Sequence, residues 1–153
     1  MNVSGQFTVA APRHAVFETL RDANSFVRFV DGVHDLKMID PTHYEAVFET
    51  KVAYMKFRFA VTVEVTRLDE PSAIEATIEG TPLGVVGRLT AKSITRLEDA
   101  SDETKVTYSV ESTLTGKLGS IGQPVLRAKA KEMEKEFGNK LRAAFAAATS
   151  EAQ

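Results

Sequence analysis

From Val33 to Leu114 apolar and polar residues alternate almost continuously, the period of strands that pack one face and wet the other. The clearest run sets Phe57, Phe59, Val61, Val63 and Val65 against Arg58, Thr62, Glu64 and Thr66. Tyr44, Ala46, Phe48, Thr50 and Val52 alternate with Glu45, Glu49 and Lys51, and Ile74, Ala76 and Ile78 with Glu75, Thr77 and Glu79. Val33–Ile39 reads as a weaker strand closed by Asp40-Pro41, and Asp69–Ser72 and Gly80–Gly84 read as breaks. Val85–Leu97 predicts a longer strand whose phase slips near Ser93, as at a β-bulge. An acidic loop is expected over Leu97–Thr104, and Val106, Tyr108, Val110 and Leu114 complete the series.

Ahead of this block, Val3, Gly5, Phe7 and Val9 alternate with Ser4, Gln6 and Thr8 as a first strand. Pro12 opens a short helix bearing Val16, Phe17 and Leu20, and Asp22 or Asn24 caps a second that holds Phe26, Phe29 and Val30. After it, the period changes to that of a helix. Between Pro124 and Ala148, Leu126, Ala130, Met133, Phe137, Leu141, Ala144 and Ala148 recur at spacings of three and four. Such a stripe needs a surface to lie on, and short connections between the strands imply an antiparallel sheet that supplies it. The predicted class is α+β: a curved antiparallel sheet of about seven strands wrapped around a long C-terminal helix, with two short helices after the first strand. Residues 1–149 read as one domain and 150–153 as a frayed tail.

Composition narrows the function. With 153 residues, 43% hydrophobic and 26% charged, the chain is that of an ordinary globular domain. No apolar run is long enough to span a bilayer and the start lacks the layout of a secretory signal, which predicts a cytoplasmic protein. Zero cysteines exclude disulfides, thiolate metal sites and a cysteine nucleophile. A net charge of −2 gives no reason to expect nucleic acid. The charge is uneven, however: Arg127, Lys129, Lys131, Lys135, Lys140 and Arg142 outnumber Glu132, Glu134 and Glu136 on the last helix. The simpler reading is a solvated face with Glu136 and Lys140 paired at i,i+4. The sharper one is a docking face for an acidic partner or an anionic membrane.

Candidate chemistry is sparse. His14, His34 and His43 have no metal-ligand spacing and read as surface residues, so no metal is expected. No Ser or Thr shows a nucleophile elbow, and Thr115–Pro124, although glycine-rich, is neither a P-loop nor a dinucleotide fingerprint. Glu134 falls at the edge of the apolar stripe and reads as a snorkelling carboxylate rather than an interior acid. Gly138 interrupts the helix and marks close packing or room for a ligand.

Inward strand positions include many small residues: Gly5, Ala46, Thr50, Ala76, Gly80, Gly87, Ala91 and Ser112. Either larger neighbours fill the gaps or an apolar cavity lies between sheet and helix. A curved sheet holds a helix away from part of its surface, which favours the cavity. Its expected lining is Tyr44, Phe48, Phe57, Phe59, Leu89, Tyr108, Met133, Phe137 and Leu141, with Tyr44, Tyr54 or Tyr108 offering a hydroxyl. Leu118 and Ile121, as exposed apolar tips of the Gly116–Gly122 loop, are expected to gate its mouth.

The layout resembles the START-like, or helix-grip, superfamily (the SRPBCC group), and within it the CoxG family, named for the G subunit of carbon monoxide dehydrogenase. The resemblance rests on Ser4–Val9 followed by Ala11-Pro12-Arg13 and Val16-Phe17, on Tyr44-Glu45-Ala46, Gly87 and Leu89, on Thr104–Tyr108, and on Gly116–Gly122. Asp31-Gly32 and Ala53-Tyr54 stand where that family usually has Pro-Gly and Gly-Pro. The resemblance implies an apolar, lipid- or quinone-like ligand, no intrinsic cofactor, and association with a molybdenum hydroxylase of the carbon monoxide dehydrogenase type at the inner face of the membrane. Longer relatives carry an apolar C-terminal extension; with Gln153 last, membrane contact here is expected through the basic helix or the Gly116–Gly122 loop. A non-enzymatic binding module is thus the leading expectation. A polyketide cyclase- or dehydratase-like enzyme using Tyr44, Tyr108 or Glu134, and a scaffold with a filled core, are the alternatives.

Overall fold

A computed structural model describes the backbone of residues 1–152 and the side chains of residues 1–146. Strand β1 (Asn2–Val9) leads into helices α1 (Arg13–Arg21) and α2 (Ala23–Phe26), the second extended by a 3-10 turn, Val27–Phe29. Six strands follow: β2 (Val33–Asp40), β3 (His43–Val52), β4 (Met55–Asp69), β5 (Ala73–Pro82), β6 (Gly87–Ala100) and β7 (Glu103–Gly116). A 3-10 turn, Gly119–Ile121, then precedes helix α3 (Gln123–Ala152). The strands form one antiparallel seven-stranded sheet in the order β1-β7-β6-β5-β4-β3-β2. This is the helix-grip architecture anticipated above.

The topology explains where each element lies. Consecutive strands from β2 to β7 pair as hairpins, so they need only short turns. Strands β1 and β2 occupy opposite edges, so the chain between them must cross the sheet, and α1 and α2 close that end. Helix α3, about 45 Å long at 1.5 Å for each of its 30 residues, contacts β1, β3 and the Val27–Phe29 turn.

Two hydrophobic clusters hold the layers together. At the α1–α2 end, Val9, Val16, Phe17, Leu20, Phe29, Leu97 and Val106 surround the fully buried Leu141, with Phe137 and Phe145 packed against them. Thr104, the one buried polar side chain among the described residues, donates to the Ala11 carbonyl at 2.7 Å. At the opposite end Val52, Phe57, Phe59 and Leu118 form a second cluster with Phe48, Leu114, Ile121 and Leu126.

Several local expectations are corrected. Strand β6 pairs with β7 without a slip, so Ser93 carries no bulge; Ile94 simply stands on the outer face. Register shifts lie instead between Val65 and Arg67 in β4, and between His34 and Lys37 and between Met38 and Asp40 in β2. The supposed acidic loop is a tight turn, with β6 running to Ala100 and β7 starting at Glu103. Lys140 pairs with Asp31 rather than Glu136, and the contact holds the Asp31 carboxyl below its usual range. Along α3 the apolar stripe continues through Phe145 while Ala144 is exposed. The side chain of Ala148 and the frayed tail over 150–153 lie outside the described residues.

Gly138 is buried, yet a Cβ added there would meet only the Arg142 guanidinium, no closer than 3.7 Å. Gly138→Ala is therefore expected to stabilise the protein by about 0.5–1 kcal/mol, because helix propensity rises without a clash. Chemical denaturation at an unchanged m-value checks it.

All three histidines are surface residues, as expected: His14 is exposed, and His34 and His43 sit in partly exposed ion pairs. In the β2–β3 turn Asp40 accepts from His43 Nδ1 and the Thr42 amide, both at 2.9 Å. The His43 contact foremost, and then the amide, hold the Asp40 carboxyl at about 2. The same contact raises His43, assisted by Glu64. Asp40 supports folding above its ordinary 3.8, and that support is lost as pH falls through about 2. His43 supports it below its ordinary 6.5, and that support is lost as pH rises through the raised folded value. The turn is thus expected to be tightest between 3.8 and 6.5, with faster Thr42 amide exchange on either side after correction for intrinsic rates.

Candidate ligand chamber between helix and sheet

Strand alternation sends one set of side chains from each strand toward α3. Paired register lines them up in rows across the sheet: Tyr44, Val63, Ile78, Ala91 and Ser112 in one, Val65, Ala76, Ser93, Val110 and Val3 in the next. A filled core would bury such positions completely. Instead Val63, Ile78, Ala91, Ser93, Val110 and Ser112 are only half-buried, and so are Ala130, Met133 and Glu134 facing them from α3. The small side chains sit chiefly on β5 and β6 at mid-sheet: Ala91 and Ser93 are half-buried, while Ala76 is buried and Leu89 and Phe59 cover Gly80. Between the two clusters the surface that α3 and the sheet turn toward each other is therefore largely apolar and half-buried.

One polar contact bridges the layers. Tyr108 donates its hydroxyl proton to Glu134 Oε2 at 2.6 Å. A Cβ at Gly5 would lie 2.4 Å from the Tyr108 hydroxyl oxygen, so glycine at this β1 position is what lets the ring lie across the strand. Burial, and then the Glu134 carboxylate, push the Tyr108 phenol well above its usual range. Burial alone raises Tyr44. The second carboxylate oxygen, Glu134 Oε1, is sealed from solvent and has no hydrogen-bond partner, an arrangement that costs on the order of 1–3 kcal/mol. Glu134 is thus an inward group, contrary to its reading as a snorkelling edge residue. The legible hint was its place between Ala130 and Gly138 on one helix face.

The other expected lining residues divide by position. Phe48, Phe57 and Phe59 stack on one another at centroid distances of 6.0 and 6.1 Å and wall the Leu118 end. Phe137 packs on Phe26 and Phe29 at 5.2 and 5.9 Å and, with Leu141, seals the other end. Tyr44, Leu89, Tyr108 and Met133 lie between, each half-buried.

Three connections meet at the Leu118 end. The β5–β6 loop is tied to β4 by Leu83 N–H to the Arg58 carbonyl (2.8 Å), and to the β7–α3 connection by Lys117 N–H to the Val86 carbonyl (3.0 Å). Between the β3–β4 turn and the start of α3 lies a cleft of about 400 Å³ lined by Val52, Ala53, Pro124, Val125, Ala128, Lys129 and Glu132. Leu118 is not an exposed tip: it is 2% exposed, anchored among Phe57 and Phe59, and Ile121 packs beside it. The apolar tips are Tyr54 (98% exposed), Val86 (84%), Leu83 (48%) and Val125 (37%), none singled out as tips by sequence reasoning. Lys51 and Lys56 face each other across the β3–β4 hairpin just behind Tyr54.

Residues 5–146 match the family of the G subunit of carbon monoxide dehydrogenase (CoxG). The chain belongs to the CoxG family. Among solved structures, this CoxG-family chain is similar to a conserved protein from Geobacillus kaustophilus, with a TM-score of 0.87, 23% identity and 95% of each chain covered. It is also similar to the ZhuI aromatase/cyclase from Streptomyces sp. R1128, with a TM-score of 0.70, 14% identity, and 94% of this chain and 92% of that one covered. A START superfamily protein from Mycobacterium smegmatis aligns at a TM-score of 0.67 and 10% identity, over 94% and 96% of the two chains. At such identities these likenesses define the fold. No curated protein matches the chain. Among the described residues, no cluster of His, Asp or Glu is arranged to hold a metal ion, and no helix is long and apolar enough to cross a membrane.

Proposed function

We propose that this CoxG-family chain binds an apolar, lipid- or quinone-like molecule between α3 and the sheet without transforming it, as an accessory to a molybdenum hydroxylase of the carbon monoxide dehydrogenase type. The observation that supports the reading is an inward-facing apolar surface that stays half-buried between two packed clusters. Family membership supports the enzyme association. Native mass spectrometry of the protein purified from its own host, with organic extraction of the same sample, tests it. A stoichiometric extra mass that extracts as a lipid or quinone supports the reading. An empty protein that binds no added lipid or quinone contradicts it.

The same reading places the protein in the cytoplasm, in peripheral contact with the inner face of the membrane through the Leu118 end. Tyr54, Val86, Leu83 and Val125 supply exposed apolar tips. Lys51, Lys56 and Lys117 supply positive charge that no acidic side chain of the described residues pairs. Tyr54→Asp combined with Val86→Asp is expected to weaken sedimentation with anionic vesicles about tenfold or more, since each tip contributes upward of ~1 kcal/mol when buried in lipid. Sedimentation unchanged by both substitutions would remove this contact.

The Tyr108–Glu134 pair favours a second reading, a cyclase- or dehydratase-like enzyme, for which it is an interior acid–base couple. Turnover of a polyketide mimic that disappears in Tyr108→Phe would establish that reading over the first.

A further inference from the structure

We propose that the apolar ligand enters and leaves sideways, through the cleft between the β3–β4 turn and the first turns of α3, and not past the Gly116–Gly122 connection. This rests on the binding reading above and adds the route by which the inner surface is reached.

The other approaches are fastened. Leu118 pins the Gly116–Gly122 connection among Val52, Phe57 and Phe59, and the Lys117 amide donates to the Val86 carbonyl. The Ser120 hydroxyl donates to the Lys117 carbonyl at 2.7 Å, which stiffens the same connection. At the far end the packed cluster around Leu141 closes the way in. On its β1 side α3 is tied down twice: Tyr108 donates to Glu134 Oε2, and the Arg142 guanidinium lies over the Phe7 ring at 5.6 Å. Opening that side would break a charge-assisted hydrogen bond and a cation–π contact.

The β3 side differs. Lys140 reaches Asp31 at the α2–β2 turn, near the Leu141 cluster. Among the described residues, no hydrogen bond or ion pair joins residues 123–136 of α3 to β2 or β3. The inward positions of β3 there, Tyr44, Ala46 and Thr50, are half-buried, and Met38 of β2, opposite Tyr44, is exposed.

The cleft of about 400 Å³ lies on this unfastened side. Val125, Ala128, Lys129 and Glu132 recur at i, i+3, i+4 and i+7, a second stripe on α3 beside the inward one of Leu126, Ala130 and Met133. Its two charged groups answer each other, Lys129 Nζ to Glu132 at 3.7 Å, and its other walls are apolar. Val52 lines the cleft and belongs to the cluster of Phe57 and Phe59, so the cleft and the inner surface share a wall. Its rim carries the exposed Tyr54 and Val125, with Lys51 and Lys56 just behind. A ligand dissolved in a bilayer touched by that end reaches the cleft without crossing water. Ala128 is the smallest helix residue lining it, and therefore the one that sets its width.

A group that narrows an entrance raises the same barrier for arrival and departure, whereas a group that holds the ligand changes their ratio. Stopped-flow fluorescence of N-phenyl-1-naphthylamine with the whole protein separates the two. Ala128 is exposed on a helix, so Ala128→Trp blocks the cleft without entering the core. Association and dissociation are each expected to slow about tenfold, with Kd within about twofold of wild type. Ala128→Leu, which suits a helix, should slow both rates in the same direction by a smaller factor, and decides the matter if the tryptophan variant does not fold. Ser120→Trp, in the Gly116–Gly122 connection, should leave both rates within about twofold of wild type. Rates unchanged in both Ala128 variants overturn the proposal and leave the binding reading intact. So does slowing by Ser120→Trp alone, which returns the entrance to the glycine-rich connection. A weakened Kd at an unchanged association rate in the Ala128 variants makes the cleft part of the binding site and overturns it as an entrance. A wild type that binds no probe removes the binding reading and the proposal with it.

Discussion

Replacing Leu141 with alanine is expected to destabilise the protein by about 3–5 kcal/mol, the range of fully buried leucines whose surroundings relax little. Leu141 has no exposed surface and is the residue of α3 around which Val9, Val16, Phe17, Leu20, Phe29, Leu97 and Val106 close. These neighbours come from β1, α1, the turn after α2, β6 and β7, so no single segment can move to fill the void. At this chain length each kcal/mol lowers the melting temperature by about 2–4 °C, so a loss on the order of 10 °C follows. The consequence reaches the chamber, because Leu141 and Phe137 fasten α3 to the end that α1 and α2 close. A helix released there would be free to shift against the half-buried surface around Met133. Urea denaturation and a thermal melt measure the effect; a cost below ~1 kcal/mol would show that α3 is held chiefly at its other end.

Much of this fold was legible in the chain. The alternation of Phe57–Val65 and the spacing of Leu126, Ala130, Met133, Phe137 and Leu141 are strong one-dimensional signals, and both elements formed as read. The small inward residues were also assigned to the correct face. What escaped was decided by partners far away in sequence. Glu134 turns inward because Tyr108 waits for it, and Tyr108 can wait there only because residue 5 is glycine. Leu118 sits in a glycine-rich connection that looks solvent-exposed, yet Phe57 and Phe59 offer it a buried seat worth more than exposure. Lys140 leaves its i−4 neighbour for Asp31, which the α2–β2 turn brings within reach. At Ser93 an apolar Ile94 on the outer face mimicked a shift of phase; two-sided apolar content in a strand reads like a bulge when only one strand is seen. The apolar tips at Tyr54 and Val86 carry no periodic signature at all, because turns have none.

Ala91→Phe tests the chamber itself. Ala91 stands at mid-sheet between Ile78 of β5 and Ser112 of β7, half-buried and directed at α3. In a packed interface a phenylalanine there would overfill the core and cost about 1–3 kcal/mol or more. In an open chamber the ring finds room, suits a strand, and occupies the space a ligand needs. The direct measurement is a fluorescence titration of N-phenyl-1-naphthylamine, a neutral apolar probe, into wild type and Ala91→Phe, with a thermal melt of each. The chamber predicts saturable one-to-one binding by wild type, about tenfold weaker or absent in the variant, at a melting temperature within a few degrees of wild type. A variant that unfolds while wild type binds no probe would show a filled core and contradict the account; equal binding by two stable proteins would place the probe elsewhere on the molecule.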